Sequence, residues 1–256
     1  MSGRQIRFLA LVRREVSRFL KIKRQTVGAP LLETFLYISV FGAALGSRIN
    51  TLHGFRYVVF VIPGLIMMAW AINAFANNSS SILQQKFQRS IDDQLSSPAS
   101  PTELLFAFSL GGFLRGMVVS LLTFVAASLL ISDFPVEHVL VLLPALFLVG
   151  FFFAQLGVLI GVRAEQFDDV AVAQTFVLQP LIFLGGVFYS ASLLPEPFQT
   201  LTHFNPVYYM INLVRYGFLG YTEANVALSL GLLTLAVLAL YAINHRLFAT
   251  GYRLRA

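Results

Sequence analysis

"VLVLLPALFLVGFFFAQLGVLIGV", residues 139–162, decides the fold. An α-helix needs about 20 apolar residues to cross the hydrocarbon of a bilayer. This near-continuous apolar run is long enough. Similar runs lie on both sides of it, at residues 30–46, 57–80, 104–131, 170–189 and 226–248. Separate segments in lipid satisfy their own backbone groups only as helices, and nothing here alternates like a barrel strand. The expectation is an all-α integral membrane protein with six transmembrane helices, forming a single domain over residues 1–256. Composition agrees. The chain is 57% hydrophobic and 12% charged, with a mean hydropathy of +0.76, where a soluble domain carries about 25% charge. With no cysteine, neither a disulfide framework nor thiol chemistry arises.

Cations set the orientation. Residues 4–24 hold eight of the eighteen Lys and Arg, and Arg246, Arg253 and Arg255 close the chain. Six spans place both termini on one side, with the loops carrying Lys86, Arg89 and Arg163; Arg48, Arg56 and Arg215 fall opposite. The bias of Lys and Arg toward the cytoplasm makes both termini cytoplasmic. The basic excess reads as a topology and anionic-lipid signal, with no nucleic acid as partner.

"RQIRFLALVRREVSRFLKIKR", residues 4–24, has too long a charged region for a signal peptide. Ile6, Leu9, Val16, Phe19 and Leu20 recur at helical steps with arginines between them. This is the pattern of an interfacial amphipathic helix within residues 1–29, its cations toward headgroups; a basic flank that only sets topology is the plainer alternative.

The most polar internal stretch is "QQKFQRSIDDQLSSPASPTELL", residues 84–105. Phe87, Ile91 and Leu95 fall four apart, giving a short helix one apolar face, and Lys86, Arg89, Asp92 and Asp93 cover the other. Ser97-Pro98 ends it. Such a helix suits docking to a soluble partner, lying on the membrane surface, or connecting two spans.

Chemistry is scarce. His53, His138, His203 and His245 are scattered, and neither H-E-x-x-H nor G-x-S-x-G occurs. Lys21, Lys23 and Lys86 are the only lysines and none follows a glycine, so a P-loop is excluded. No catalytic or metal-binding set emerges. Charges inside the spans are few, and two of them are functional candidates on that ground. Glu33 is near the start of the first span and in reach of the interface. Arg115 is either buried in the bundle or marks the point where an interfacial helix turns into the membrane.

Between the last two spans, residues 191–220 are too apolar for a loop and too interrupted for two spans. Asn205 fits a helix cap with Pro206 at the first helical position. Tyr208, Asn212 and Arg215 form a polar stripe. Two half-helices here read as a re-entrant hairpin in the outer leaflet, an outer gate, or as an amphipathic cap on the bundle.

This order of elements resembles the membrane subunit of a bacterial type-2 ABC exporter over nearly the whole chain, and in particular the branch exporting drugs, lipids or lipo-oligosaccharides. The resemblance is carried by "KFQRSIDDQLSSPASPTELL", residues 86–105, and by Asn205-Pro206 followed by Arg215. It departs at Gln85 or Gln88, where the family often has glutamate. It implies a bacterial inner-membrane permease working as a pair of copies on two separate ABC ATPase subunits. ATP and magnesium would be bound there and no cofactor by this chain. Residues 84–101 would be the cytoplasmic coupling helix, with Lys86, Phe87, Arg89, Ile91, Asp92, Asp93 and Leu95 coupling to the ATPase. A secondary transporter or channel, or a non-transporting scaffold, are the rival readings; the first would want embedded acids or broken helices repeated in both halves.

Overall fold

The computed structural model describes residues 3–21, 24–41, 51–131 and 134–254. Among them the chain is almost wholly helical. Helix α1 (Gly3–Lys21) is followed by a π-helical turn (Arg24–Gly28) that runs directly into α2 (Ala29–Val40). A two-residue β-hairpin, β1 (Thr51–Leu52) and β2 (Phe55–Arg56), is one departure from the all-α expectation. Its turn, His53-Gly54, has positive φ at both residues, as tight hairpins require. Then come α3 (Tyr57–Phe87), α4 (Ser90–Leu95), α5 (Pro101–Leu130), α6 (Val139–Arg163), α7 (Phe167–Val172), a π-helical stretch (Ala173–Leu178), α8 (Gln179–Leu184), α9 (Glu196–Phe204), α10 (Pro206–Leu219) and α11 (Val226–Thr250).

Among the described residues five helical runs are long and apolar enough to cross a bilayer: Tyr57–Phe87, Pro101–Leu130, Val139–Arg163, Phe167–Leu184 and Val226–Thr250. The expected first span, 30–46, falls on a shorter apolar helix, Thr26–Val40; residues 42–46 lie outside the described residues. The wide π-type turn precedes Pro180. Proline has no N–H and its ring crowds the carbonyl four residues back, and a π-bulge relieves that conflict.

Helix α3 is the hub. It packs along both α5 and α6, and α10 lies across α3 and α6. Close approach comes from small residues. A Cβ on Gly157 of α6 would stand 3.0 Å from Phe75 Cα of α3 and nearer still to the Phe75 carbonyl oxygen. By contrast α2, the π-helical stretch with α8, and α11 expose Leu32, Phe35, Phe176, Leu184, Leu235 and Leu238, side chains that hydrocarbon or another chain can cover and water cannot.

The expected coupling helix over 84–101 is corrected. Helix α3 continues through Phe87, the chain breaks at Gln88-Arg89 with Arg89 left-handed (φ 55°), and α4 is only Ser90–Leu95. Phe87, Ile91 and Leu95 therefore do not share the face of one helix. Residue 101 starts α5, where Ser100 and Glu103 form a reciprocal capping box.

Candidate functional site

Three places concentrate polar groups: the α1–α3–α4 end, the α10 end, and a cleft between α2 and α8.

At the first, Glu15 of α1 is only 1% exposed. It accepts hydrogen bonds from Ser81 Oγ (2.7 Å), Gln85 Nε2 (3.3 Å) and Arg14 (2.9 Å), with Arg18 Nε at 3.6 Å. Arg18 also donates to the carbonyl and side-chain oxygens of Asn77 at 2.6 and 2.8 Å, and Arg4 pairs with Glu103 at 2.6 Å. Glu15 comes this close because it faces Gly111, where a Cβ would meet its own at 2.6 Å. The inward face of α1 thus holds Glu15 beside buried Phe19, while Ile6, Leu9 and Leu20 are exposed. This limits the picture of arginines aimed at headgroups: Arg14 and Arg18 are turned toward the protein, whereas Arg13 is exposed and Arg4, 72% exposed, meets Glu103 at the surface. Sequence reasoning passed over Glu15, and also the run Asn77–Ser81. The signals were a single acid among eight bases and five consecutive polar residues within an apolar helix.

Gln85, the departure from the family pattern, is buried between Glu15 and Gln94 of α4, which hydrogen-bonds it. Ile91 of α4 is fully buried against Ile82, Leu104 and Val162, and Leu95 packs beside it. Lys86 differs from expectation: its Nζ donates to the carbonyls of Val162 (2.9 Å) and Ala164 (2.6 Å), capping the end of α6. Phe87 differs too. It is 58% exposed and stacks on Phe167, itself 54% exposed, with centroids 5.3 Å apart and planes 7° apart. Arg89 and Asp93 are exposed and Asp92 half-buried. The structure brings α4, the 163–167 turn and the C-terminal turn, where Arg253 pairs with Glu165 at 3.4 Å, around one surface hollow of about 250 Å³.

Arg115 resolves to the buried alternative. It lies midway along an unbroken α5 and is 6% exposed. Its Nε has no hydrogen-bond partner among the described residues, and Arg18, of like charge, acts on it.

At the other end, Asn205 caps α10, its Oδ1 accepting from Val207 N (3.0 Å) while its amide donates to Leu181 O (2.6 Å); Pro206 is the first helical residue and left-handed Gly220 ends the helix. The stripe Tyr208, Asn212 and Arg215 is buried. Arg215 donates to Gly186 O at 2.8 Å and lies over the ring of Phe60, 3.9 Å from its centroid. Asn212 Oδ1 accepts from Glu223 N (2.9 Å). The Glu223 carboxylate in turn accepts from Ser190 Oγ and from the backbone of Ala191 (3.0 Å) and Ser192 (3.4 Å), with His53 of the β-hairpin 3.9 Å away. One knot therefore ties four chain segments.

Burial pushes the Glu223 carboxyl up; the hydrogen bonds from Ser190, Ala191 and Ser192, with the charge of Arg215, outweigh it and hold the carboxyl below its usual range. A carboxyl depressed on folding adds stability above its ordinary pKa of about 4.3 and loses it as pH falls through the lower folded value. Glu223→Gln is expected to lose thermal stability at neutral pH, and its deficit to shrink on acidification below about pH 4, as scanning calorimetry in detergent would show. A deficit independent of pH would contradict this.

In the cleft, the segments that follow α2 and α8 meet near the knot, where Phe41 stacks on Phe188 (4.5 Å), with Tyr37 of α2 and Phe183 of α8 each 5.6 Å from Phe188. Below these rings the two helices part over α3. Glu33 and Tyr37 face Gln174 and Gln179 across the gap.

A hub helix with exposed apolar helices around it, a knotted cap at one end and a charged lobe at the other define a polytopic helical membrane protein of transporter type. The family of ABC-2 type transporters matches residues 6–219. The chain is 41% identical to the inner membrane transport permease YadH of Escherichia coli K12, over 95% of this chain and 94% of that one. It is 25% identical to nodulation protein J of Rhizobium leguminosarum bv. viciae, over 93% and 92% of the two chains, and 24% identical to that of Rhizobium meliloti, over 88% and 86%. The chain belongs to the ABC-2 type transporter family, as a permease component.

Proposed function

We propose that this chain is the permease subunit of an ATP-driven exporter in the bacterial inner membrane. Two copies form the path, each seated on a separate ABC ATPase subunit that binds ATP and magnesium, and the cargo is an amphipathic drug, lipid or saccharide-linked molecule. In this reading α2 belongs to the first of six spans, both termini are cytoplasmic, α1 lies along the interface, and residues 191–220 form the re-entrant outer gate.

The observation that carries the reading is the lobe around α4. Its exposed Phe87–Phe167 stack and the charges of Arg89, Asp92 and Asp93 offer a partner an aromatic patch with a charged rim. Behind it nothing is loose. Gln94, Gln85 and Glu15 link α4 to α3 and α1, and Lys86 links α3 to α6. A push on α4 moves these helices together. The far end of the cleft is closed mainly by ring contacts, with one hydrogen bond from Tyr57 to the Phe188 carbonyl behind them. Stiff coupling at one end and an apolar closure at the other suit alternating access.

Topology is tested by impermeant maleimide labelling of single cysteines in this cysteine-free chain. Exposed positions Glu196 and Thr200 should label in intact cells; exposed Asp93 and Arg163 should label only after permeabilisation. Asn205 is buried and uninformative. Labelling of Asp93 from outside would overturn the arrangement.

A further inference from the structure

The cleft between α2 and α8 contains an unmet charge. Glu33 projects from the apolar helix 26–40 into a cavity of about 120 Å³, bounded by Tyr37, Met68, Ile72, Gln174 and Gln179. A smaller hollow of about 20 Å³ shares Glu33, Tyr37, Met68 and Ile72 with it and reaches Asn73. No hydrogen bond or ion pair among the described residues engages the Glu33 carboxylate, the Tyr37 hydroxyl or the amides of Gln174 and Gln179. Asn73 donates only to Ala69 O of its own helix. Among the described residues Glu33 is the one charged side chain lining either hollow. Of the six cations of α1, Arg4, Arg14 and Arg18 are engaged elsewhere, with Glu103, Glu15 and Asn77.

A carboxylate among hydrocarbon is costly without a counter-charge. Elsewhere this chain supplies one: Glu15 has Arg14 and Arg18, and Glu103 has Arg4. At Glu33, an exposed residue, the described residues supply none, and the polar groups of Tyr37, Gln174 and Gln179 line the space beside it. The ring cluster of Phe41, Phe183 and Phe188 roofs the space, and exposed Leu32, Phe35 and Phe176 flank it.

We propose that this cleft is a head-group site for a cationic amphiphile: a molecule whose ammonium group pairs with Glu33, whose remaining polar atoms meet Tyr37, Gln174 and Gln179, and whose hydrocarbon lies along α2 and α8. The inference rests on the exporter reading for its place in a transport cycle; the site itself is a property of this chain. Anionic amphiphiles are repelled by the same carboxylate.

The test uses the full chain in phosphatidylcholine nanodiscs. The probes are a dansyl-labelled long-chain primary amine and its carboxylate analogue of equal chain length. The amine should bind saturably beyond its partition into empty nanodiscs, and the carboxylate should not. Glu33→Gln keeps the shape and removes the charge. It should weaken amine binding at least about tenfold, the smallest loss expected when a hydrogen bond to a charged group is removed, with an unchanged thermal transition. Glu33→Asp should recover part of the affinity. Equal binding of both probes, or amine binding indifferent to Glu33→Gln, would overturn the site and leave Glu33 as a side chain reaching the interface. This arm needs no ATPase. Glu33-dependent binding in a chain that couples to no ATPase therefore counts against the exporter reading alone, and intact coupling without such binding counts against the site alone.

Discussion

Glu15→Ala is expected to destabilise the protein by about 3 kcal/mol, the low end of the 3–5 kcal/mol typical of removing one partner from a buried ion pair. The loss is large because the carboxylate is the shared acceptor for Arg14, Arg18, Ser81 and Gln85. Its removal leaves Arg18, with a side chain 20% exposed, bonded only to Asn77 and Ser80. The value stays low because the Arg14 side chain is 38% exposed and partly hydrated. Glu15→Gln retains one acceptor oxygen and should fall between alanine and wild type. Thermal unfolding in detergent micelles reads both. A double-mutant cycle with Ser81→Ala should show coupling, since the two residues share one hydrogen bond. An alanine variant as stable as wild type would mean that α1 only rests against the bundle.

Gly157→Val is the second large effect, and its cause is geometric. The new Cβ would be driven into the backbone of Phe75, 3.0 Å from its Cα and closer to its carbonyl oxygen. Backbone in the middle of a 31-residue helix does not step aside as a side chain tip does. Either α3 and α6 separate along their length or the variant fails to fold. Overpacking costs about 1–3 kcal/mol where side chains can yield, and more is expected here. Helix association in lipid depends on such contacts, because apolar surface gains nothing by leaving hydrocarbon. Gly157→Ala should show a smaller loss of monodisperse protein on size exclusion, and Gly231→Ala, whose Cβ would meet nothing within 4 Å, none. A monodisperse valine variant with wild-type melting would contradict the close packing of the hub.

Much of this architecture is legible in the sequence because lipid enforces it. A run such as 139–162 has few alternatives, and α6, α5 and α11 lie close to where their apolar runs fall. Local capping is legible too: Asn205-Pro206 opens α10 and Gly220 closes it. What escaped are consequences of the third dimension. Spacing at 87, 91 and 95 implied one helical face, but Arg89 turns left-handed and breaks it, and no periodicity signals a positive φ in a residue other than glycine. Lys86 reads as a free surface charge until α6, 76 residues further on, brings its last carbonyls within 2.9 Å. The amphipathic pattern of α1 was readable, but not that Glu15 would be buried on its inward face. That depends on Glu15 finding Gly111 and Ser81 on two other helices. The stripe of Tyr208, Asn212 and Arg215 was visible as a stripe, while its destinations, Gly186, Phe60 and the Glu223 loop, lie in segments distant in sequence.

The central claim is that a separate ATPase drives this chain through the α4 lobe. Single surface ion pairs contribute about 0–1 kcal/mol, so the decisive variant is the double reversal Asp92→Lys with Asp93→Lys. Neither residue has a hydrogen bond or ion pair from its side chain among the described residues, so the folded permease should tolerate the change. The measurement is the amount and activity of P-loop ATPase that co-purifies with the tagged chain from its native membrane. The account predicts one ATPase per wild-type permease, and loss of both the ATPase and its activity from a double variant that still melts like wild type. ATPase retained by the double variant in the same proportion and at the same activity would contradict it.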